Sequence, residues 1–283
     1  MITYLDCIPC LVRQTLEAGR NVTQDETIHE QLMRYVLRTT ATLDMTQPPP
    51  VIGQIIHRKL REMTGVDDPY RETKSGFNRV AMELLPELAA QVKQSPEPLL
   101  AAARLAIAAN VIDLGATGTL TQADARAALL DAFNEPFHAD WKEFREAAAE
   151  ATDILYLADN AGEIVVDRLL IEELGHRRVT VAVRGGPAIN DATLADAHEV
   201  GMDDLVGVID NGSDAPGTIL DDCSSSFRER FDRADLIISK GQGNFETLSH
   251  VEANLFFLFK VKCQLVASHV GLPNGTQVLV QSG

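Results

Sequence analysis

Two pairs of neighbouring side chains carry oxygen atoms that could bind a metal ion: Asp159 with Asn160, and Asn190 with Asp191. Each pair follows a short apolar run that predicts a β-strand. Carboxylate and amide oxygens suit a hard divalent cation such as Mg²⁺ or Mn²⁺. Either residue of a pair could instead cap the helix that follows it. Because capping requires only one residue per helix, two such pairs favour a metal site formed by Asp159, Asn160 and Asp191.

A third segment, residues 239–244, has the composition of a phosphate-binding turn. Its glycines allow a ligand to approach the backbone closely, and the following helix offers free amide hydrogens. Lys240 adds a compact positive charge suited to phosphate, although an ordinary tight turn with a solvated lysine is the alternative. The predicted phosphate and substrate contacts from the three loops are Lys240, Gly241, Gly243, Asn244, Glu163 and Asn190.

The first half of the chain carries polar residues that could reach the same site. Lys74 and Asn78 are four residues apart and therefore share one face of a predicted helix. Asn110 and Asp113 lie near the end of an otherwise apolar helix, where polar groups need partners. We predict that all four contact substrate in a cleft between the two halves, and a purely structural hydrogen-bonding role is the alternative.

The spacing of apolar residues divides the chain near residue 150. Residues 1–150 show helical periodicity, for example over 26–43, 78–92 and 98–112, which predicts an all-helical domain. Residues 151–283 alternate short apolar runs with helical patterns. They predict a three-layer α/β/α core with a mainly parallel sheet, which binds ligands beyond the carboxyl ends of its strands. The candidate strands are 154–158, 179–183, 205–209, 236–239, 264–267 and 277–280, with the last at an edge.

Composition limits the classes of partner. With 45% apolar and 23% charged residues, the 283-residue chain is expected to fold as a soluble protein. Its net charge of -16 disfavours extended binding to nucleic acid or to anionic membranes. No segment has the pattern of a signal peptide or a spanning helix, so we expect a cytoplasmic protein. The sequence carries no signal for the oligomeric state.

Cys7 and Cys10 have the spacing of a redox or metal pair. A structural zinc site would need two more ligands with recognisable spacing, and only Cys223 and Cys263 remain, far apart in the sequence. We interpret Cys7 and Cys10 as reduced thiols at the start of a helix, without a role in the mechanism.

Three sequence segments resemble motifs of the damage-control phosphatase family, long catalogued as domain of unknown function 89, and most closely those of its stand-alone microbial branch. The segments are residues 157–163 (LADNAGE), 184–193 (RGGPAINDAT) and 237–244 (IISKGQGN). The similarity spans nearly the whole chain, because the CxxC start and the later polar positions also match. These further matches are Cys7, Cys10, Lys74 to Asn78, Asn110 with Asp113, and Lys262 with Cys263.

The resemblance implies a metal held by Asp159, Asn160 and Asp191, and hydrolysis of phosphate from small, often damaged phosphometabolites such as sugar phosphates or cofactor precursors. Manganese, cobalt, nickel and magnesium are the ions that it implies. One departure is Ala109 before Asn110, where the family commonly has glycine. In this hypothesis Asp159, Asp191 and Lys240 are catalytic, and the nucleophile is either water or Asp159 itself.

Two other functions are compatible with the same pattern. An S-adenosylmethionine-dependent methyltransferase would use a similar alternation of strands and helices, although the first strand lacks the glycine-rich turn typical of such cofactor sites. A metabolite-binding protein without catalytic activity is the other alternative. Binding of a phosphate ester without turnover under any metal would distinguish it from an enzyme.

Overall fold

The computed structural model describes residues 1–110 and 122–282. Helices dominate the first half of the chain because its apolar residues recur every three to four positions. They are α1 (Cys7–Val22), α2 (Glu26–Ala41), α3 (Pro49–Thr64), α4 (Arg71–Gln94), α5 (Pro98–Ala108), α6 (Gln122–Asp131) and α7 (Trp141–Glu150). The second half contributes α8 (Glu163–Leu174), α9 (Leu194–Glu199), α10 (Ser225–Arg233), α11 (Gln242–Leu248) and α12 (Gln264–Val270).

A seven-stranded sheet forms the centre of the molecule, in the order β1-β7-β6-β5-β2-β3-β4. All neighbouring strands are parallel except β6 and β7, which pair antiparallel. The strands are β1 (Phe137–Ala139), β2 (Ile154–Leu157), β3 (Val179–Val183), β4 (Gly207–Asp210), β5 (Leu236–Lys240), β6 (Leu255–Lys260) and β7 (Gln277–Gln281).

Helices cover both faces of this sheet, and alternate residues of a strand enter different cores. In β2, Ile154 and Tyr156 pack on the side of α4, α5 and α8, whereas Leu155 and Leu157 pack on the side of α10, α11 and α12. The sequence of a strand that is buried on both faces is a continuous apolar run, without alternation of apolar and polar residues. The predicted three-layer α/β fold with a mostly parallel sheet is therefore confirmed.

Several individual strands differ from the sequence predictions. Residues 264–267, predicted as a strand, begin helix α12, because a short apolar run fits either structure. Strand β6 was not predicted, although its residues LFFLFK are strongly apolar and aromatic. Residues 277–280 do form a strand, but β7 lies inside the sheet, because β1 pairs with it and takes the edge. The sheet thus begins before the boundary predicted at residue 150.

The first three helices form small apolar clusters of their own. Leu11, Val36, Ile52 and Ile56 join α1, α2 and α3. Helix α3 also packs against α11 of the core, so the helical half lies directly beside the carboxyl end of β5. Within residues 1–110 and 122–282, no helix is both long and apolar enough to cross a bilayer.

Candidate active site

The three polar loops predicted from the sequence follow β2, β3 and β5, which are adjacent in the sheet. All three leave the same edge because these strands are parallel. The chain continues from β2 to β3 on one side, while β5 pairs with β2 on the other side. Such a switch in strand order opens a crevice in α/β folds, and it places the loops where ligands usually bind.

Backbone hydrogen bonds hold the first two loops together. The N–H of Ala161 donates to the carbonyl of Asn190 at 2.9 Å, and the N–H of Ala192 donates to that of Asp159 at 2.8 Å. Asn160 and Asp191 form an isolated antiparallel bridge between these contacts. The structure therefore brings Asp159, Asn160 and Asp191 together, as their predicted metal-binding role requires.

Arg184 connects the two buried carboxylates. Its Nε donates to Oδ2 of Asp191 at 2.6 Å, and its Nη2 lies 3.5 Å from Oδ1 of Asp159. The third nitrogen, Nη1, donates to Thr218 Oγ1 at 3.2 Å and to Asn244 Oδ1 at 3.1 Å. Arg184 is a site residue that was not predicted from the sequence, although a cation one position beyond β3 is a signal that could have identified it.

The carboxyl group of Asp159 is crowded by negative charge. Burial raises its pKa well above the ordinary value, and the neighbouring Asp191 and Glu163 raise it further, while Arg184 and Lys262 oppose them. Lys262 is exposed, so a positive charge lies at the surface near this carboxylate. A second cation beside Asp159 would relieve the repulsion between the carboxylates.

Gly241 makes room for Asp159. It has a φ of +81°, and a Cβ at this position would lie 2.0 Å from Oδ2 of Asp159. A glycine is needed here both for the left-handed backbone and for the close approach of the carboxylate. The structure thus gives Gly241 a contact with the predicted metal ligand.

Lys240 lies in the interior beneath the loops. Its Nζ donates to the carbonyl of Ala106 at 3.0 Å, to Oε1 of Glu163 at 2.7 Å and to Oδ1 of Asp167. Burial alone would lower the pKa of Lys240, but Asp167 and Glu163 outweigh it and raise the pKa. Since all three N–H groups have partners, the ammonium group acts here as the partner of Glu163 and Asp167. Its predicted phosphate contact stays a prediction.

Asn110 joins this network from the end of the apolar helix α5. Its Nδ2 donates to Glu163 Oε2 at 2.6 Å and to Asp159 Oδ2 at 3.2 Å. Asn160 donates to the same two carboxylates, at 3.1 Å and 2.8 Å respectively. Asn110 Oδ1 is buried without a hydrogen-bond partner among the described residues. Asp113, predicted beside Asn110, lies outside the described residues.

Lys74 and Asn78 of α4 contact other parts of the core. Lys74 Nζ, almost completely buried, lies 2.7 Å from Asp68 and 2.9 Å from Asp196. Asp196 also accepts from Thr193, so Lys74 braces the loop that follows Asp191. Asn78 Oδ1 accepts from the backbone N–H of Gly162 at 2.7 Å. These two side chains of α4 stabilise the loops after β2 and β3. Their substrate contacts stay a prediction.

The remaining predicted residues are packed into the loops. Asn190 is buried, and its carbonyl holds Ala161. Asn244 is fully buried and donates from Nδ2 to the carbonyl of Lys240 at 2.7 Å. A Cβ on Gly243 would lie 2.4 Å from the carbonyl oxygen of Pro216, so this glycine allows the first turn of α11 to pack against the loop after β4.

The donor set matches a hard divalent cation. In the described parts of the chain, no three His, Cys, Asp or Glu side chains are arranged to hold a metal ion. A cation between the β2 and β3 loops would therefore be held by the carboxylates of Asp159 and Asp191 and the amide oxygen of Asn160. Oxygen donors with few protein ligands suit Mg²⁺ or Mn²⁺, which keep several water molecules.

Comparisons with known proteins identify the family. Residues 3–278 match the model of the damage-control phosphatase ARMT1-like domain. The chain is 34% identical to the damage-control phosphatase PH1575 of Pyrococcus horikoshii, over 100% of this chain and 99% of that protein. It is 33% identical to a damage-control phosphatase of Archaeoglobus fulgidus, over 96% of each chain. The crystal structure of PH1575, described as a DUF89 family protein, superposes with a TM-score of 0.88 at 32% identity and covers 100% of both chains. This chain therefore belongs to the damage-control phosphatase ARMT1-like family.

Proposed function

We propose that the chain is a divalent-metal-dependent phosphatase that acts on small phosphate esters. The observation that carries this proposal is the convergence of Asp159 and Asp191, from neighbouring strands, on the guanidinium of Arg184. Family membership supports phosphatase activity. The metal requirement and the class of substrate are our inferences from the site.

Asp159, Asn160 and Asp191 would hold the metal. The raised pKa of Asp159 supports this assignment, because a buried carboxylate close to Asp191 and Glu163 gains from an added cation. Bound there, Mg²⁺, Mn²⁺, Co²⁺ or Ni²⁺ would neutralise charge on the phosphoryl group and orient the attacking nucleophile. Arg184 keeps the two carboxylates in position and offsets part of their charge.

Besides Arg184, two lysines bring positive charge to the site. Lys240 lies in the interior and fixes Glu163, which in turn orients Asn110 and Asn160. Lys262 lies at the surface near Asp159. We propose that Lys262 attracts the phosphate. Lys240 would contribute its positive charge from its buried position, where it is paired with Glu163 and Asp167. Both charges would stabilise the transition state of phosphoryl transfer electrostatically.

The chemistry of the surroundings favours small substrates. Asp159 is only 8% exposed and Asp191 only 4%, so little of either carboxylate is accessible to a bulky substrate. A net charge of -16 would repel polyanions. Sugar phosphates and phosphorylated cofactor precursors combine one phosphate with a small polar body, which suits such a site.

The test is a phosphate-release assay across sugar phosphates, nucleotides and cofactor precursors, repeated with each metal. Asp159→Ala and Asp191→Ala should each reduce the metal-dependent rate by about 100-fold or more. Circular dichroism would show whether the variants remain folded. Asp203→Ala, which removes a carboxylate bound to His198 on the surface, is the matched control. Undiminished phosphate release from folded Asp159→Ala and Asp191→Ala would reject the assignment.

A further inference from the structure

The turn that leads into Asp191 has an unusual backbone conformation. The N–H of Asp191 donates to the carbonyl of Ala188 at 2.9 Å, which closes a four-residue turn with Ile189 and Asn190 at its centre. Ile189 has a φ of +48°, the only positive φ outside glycine in the described parts of the chain. Turns with a positive φ normally place glycine, asparagine or aspartate there, and a β-branched residue is strained. Such strain persists only where surrounding contacts hold it.

The side chain of Ile189 provides that contact, because it packs against the helical half. It is partly buried against an apolar cluster that joins four segments of this half. The members of the cluster are Ala18 of α1, Leu32 of α2, Leu60 of α3 and Tyr70 immediately before α4. Ile189 is therefore anchored among the helices, although it belongs to the loop after β3.

Arg61 of α3 holds the same loop by polar contacts. Its Nη1 donates to the carbonyl of Pro187 at 2.6 Å, two positions before Ile189. Its Nη2 forms an ion pair with Asp214 in the loop after β4. Helix α3 thus contacts the β3 loop through an apolar cluster on one side of the strained residue and through a guanidinium on the other.

We propose that Ile189 is a positioning residue: its anchor among the helices holds the strained turn, and the turn sets the place of the Asp191 carboxylate. This inference rests on the metal-binding role proposed for Asp191. Relaxation of Ile189 to a negative φ would redirect the chain ahead of Asp191 and disturb the hydrogen bond from Ala192 N–H to the carbonyl of Asp159. Helices α1 to α3 would in this way influence metal binding without supplying a ligand.

Three substitutions of Ile189 separate the anchor from the strain. Ile189→Val keeps a branched apolar side chain and should bind Mn²⁺ nearly as tightly as the unaltered chain. Ile189→Ala loses the anchor but keeps a Cβ that disfavours a positive φ, so the affinity for Mn²⁺, measured by calorimetry, should fall about 10-fold. Ile189→Gly also loses the anchor, but glycine adopts a positive φ without strain, so its affinity should lie between those of the other two.

Amide hydrogen exchange in the metal-free chain gives a readout that does not depend on the metal. The N–H groups of Asp191 and Ala192 bind the carbonyls of Ala188 and Asp159. They should exchange about 10-fold faster in Ile189→Ala than in the unaltered chain, keep their protection in Ile189→Val and be intermediate in Ile189→Gly. If the unaltered chain bound no Mn²⁺, the proposed function would fail, and these exchange rates would still decide whether Ile189 holds the turn.

Val22→Ala is the matched control. Val22 is also a partly buried, β-branched residue that packs against the same cluster, but it belongs to α1. This variant should leave Mn²⁺ affinity and the exchange of Asp191 N–H nearly unchanged. An equal loss of affinity in Val22→Ala and Ile189→Ala would overturn the proposal, because general destabilisation would explain both. So would unchanged affinity and exchange in Ile189→Ala, or an affinity of Ile189→Gly no higher than that of Ile189→Ala.

Discussion

Asn78 in the helical half accepts a hydrogen bond from the backbone N–H of Gly162, with an Oδ1–N distance of 2.7 Å. Gly162 immediately precedes helix α8, whose first residue is Glu163. The side chain of Asn78 also donates from Nδ2 to Oε2 of Glu199 at 2.9 Å. One asparagine of α4 therefore caps the helix that carries Glu163 and ties it to α9. The helical half therefore supports the loop that follows β2.

Asn78→Ala should reduce the free energy of unfolding by roughly 1–2 kcal/mol, because a buried N–H loses its acceptor at the start of a helix. Urea unfolding followed by circular dichroism would measure the change. Asn134→Ala is a suitable control, since the exposed side chain of Asn134 donates to Asp131, three positions earlier in the sequence. An equal loss of stability in both variants would contradict the capping role of Asn78.

Gly241→Ala should abolish most activity in a protein that still folds. Its Cβ would lie 2.0 Å from Asp159 Oδ2, so the carboxylate has to move away from its present position. We expect the phosphate-release rate to fall by about 10-fold or more, since small displacements of catalytic groups are costly. The φ of +81° and ψ of 158° add a backbone strain of about 1–3 kcal/mol.

Gly271→Ala separates the two effects. Gly271 also has a positive φ, but its φ of +71° and ψ of 24° lie in the left-handed helical region, whereas Gly241 has a ψ of 158°. A Cβ on Gly271 would meet nothing within 4 Å. This variant should lose about 1 kcal/mol of stability through strain and keep its activity. If Gly271→Ala and Gly241→Ala lost activity equally, the contact with Asp159 could not be the cause.

Asp167→Asn should change how stability depends on pH. Burial raises the pKa of Asp167 from 3.8 to about 6 in the folded chain, and Glu163 adds to the effect against the opposing Lys240. Because the folded pKa lies above the unfolded one, protonation of Asp167 stabilises the fold fully below pH 3.8. This contribution is lost as the pH rises through about 6.

Asparagine cannot ionise, so the stability of Asp167→Asn relative to the unaltered chain should rise between pH 4 and pH 6, the window set by the pKa shift of Asp167. Urea titrations at intervals across this range would measure the difference. Asp203→Asn is the control, because the pKa of this exposed carboxyl is lowered by its hydrogen bond to His198 and its contribution has the opposite sign. A difference that stayed constant with pH would contradict the assignment.

The sequence allowed the architecture and the position of the site to be predicted because both follow from local patterns. Apolar runs predicted β2 and β3, and polar pairs after them marked the carboxyl edge of the sheet. The helix 264–270 and strand β6 show the limit of this reasoning. A short apolar run carries too little periodicity to define its own structure, and packing against the sheet decides between the two.

Long-range partners explain what the sequence did not reveal about the site. Lys240 looks like a phosphate-binding residue in its glycine-rich turn, yet its Nζ contacts Glu163 and Asp167, more than 70 residues away. Arg184 contacts Asp159, Thr218 and Asn244, which come from the loop after β2, the loop after β4 and helix α11. Such contacts depend on the order of strands in the sheet, and no local pattern encodes that order.

Arg184→Lys should lower kcat/KM for phosphate release by about 10-fold or more, although the positive charge is retained. The guanidinium contacts Asp191 at 2.6 Å, Asp159 at 3.5 Å and Asn244 at 3.1 Å. A lysine ammonium is a single compact group and cannot reproduce that planar, forked geometry. The two carboxylates would lose their fixed separation, so the apparent affinity for Mn²⁺, measured by calorimetry, should weaken as well.

Arg58→Lys is the matched control. Arg58 is 50% exposed and contacts Asp214 at 2.6 Å, so it makes the same kind of ion pair at the surface. Exposed ion pairs contribute about 0–1 kcal/mol, and the change should leave both phosphate release and Mn²⁺ affinity nearly intact. If Arg184→Lys kept full activity and full Mn²⁺ affinity, the fork between Asp159 and Asp191 would not be needed to position the carboxylates. The backbone hydrogen bonds between the β2 and β3 loops would then be sufficient to position the two carboxylates.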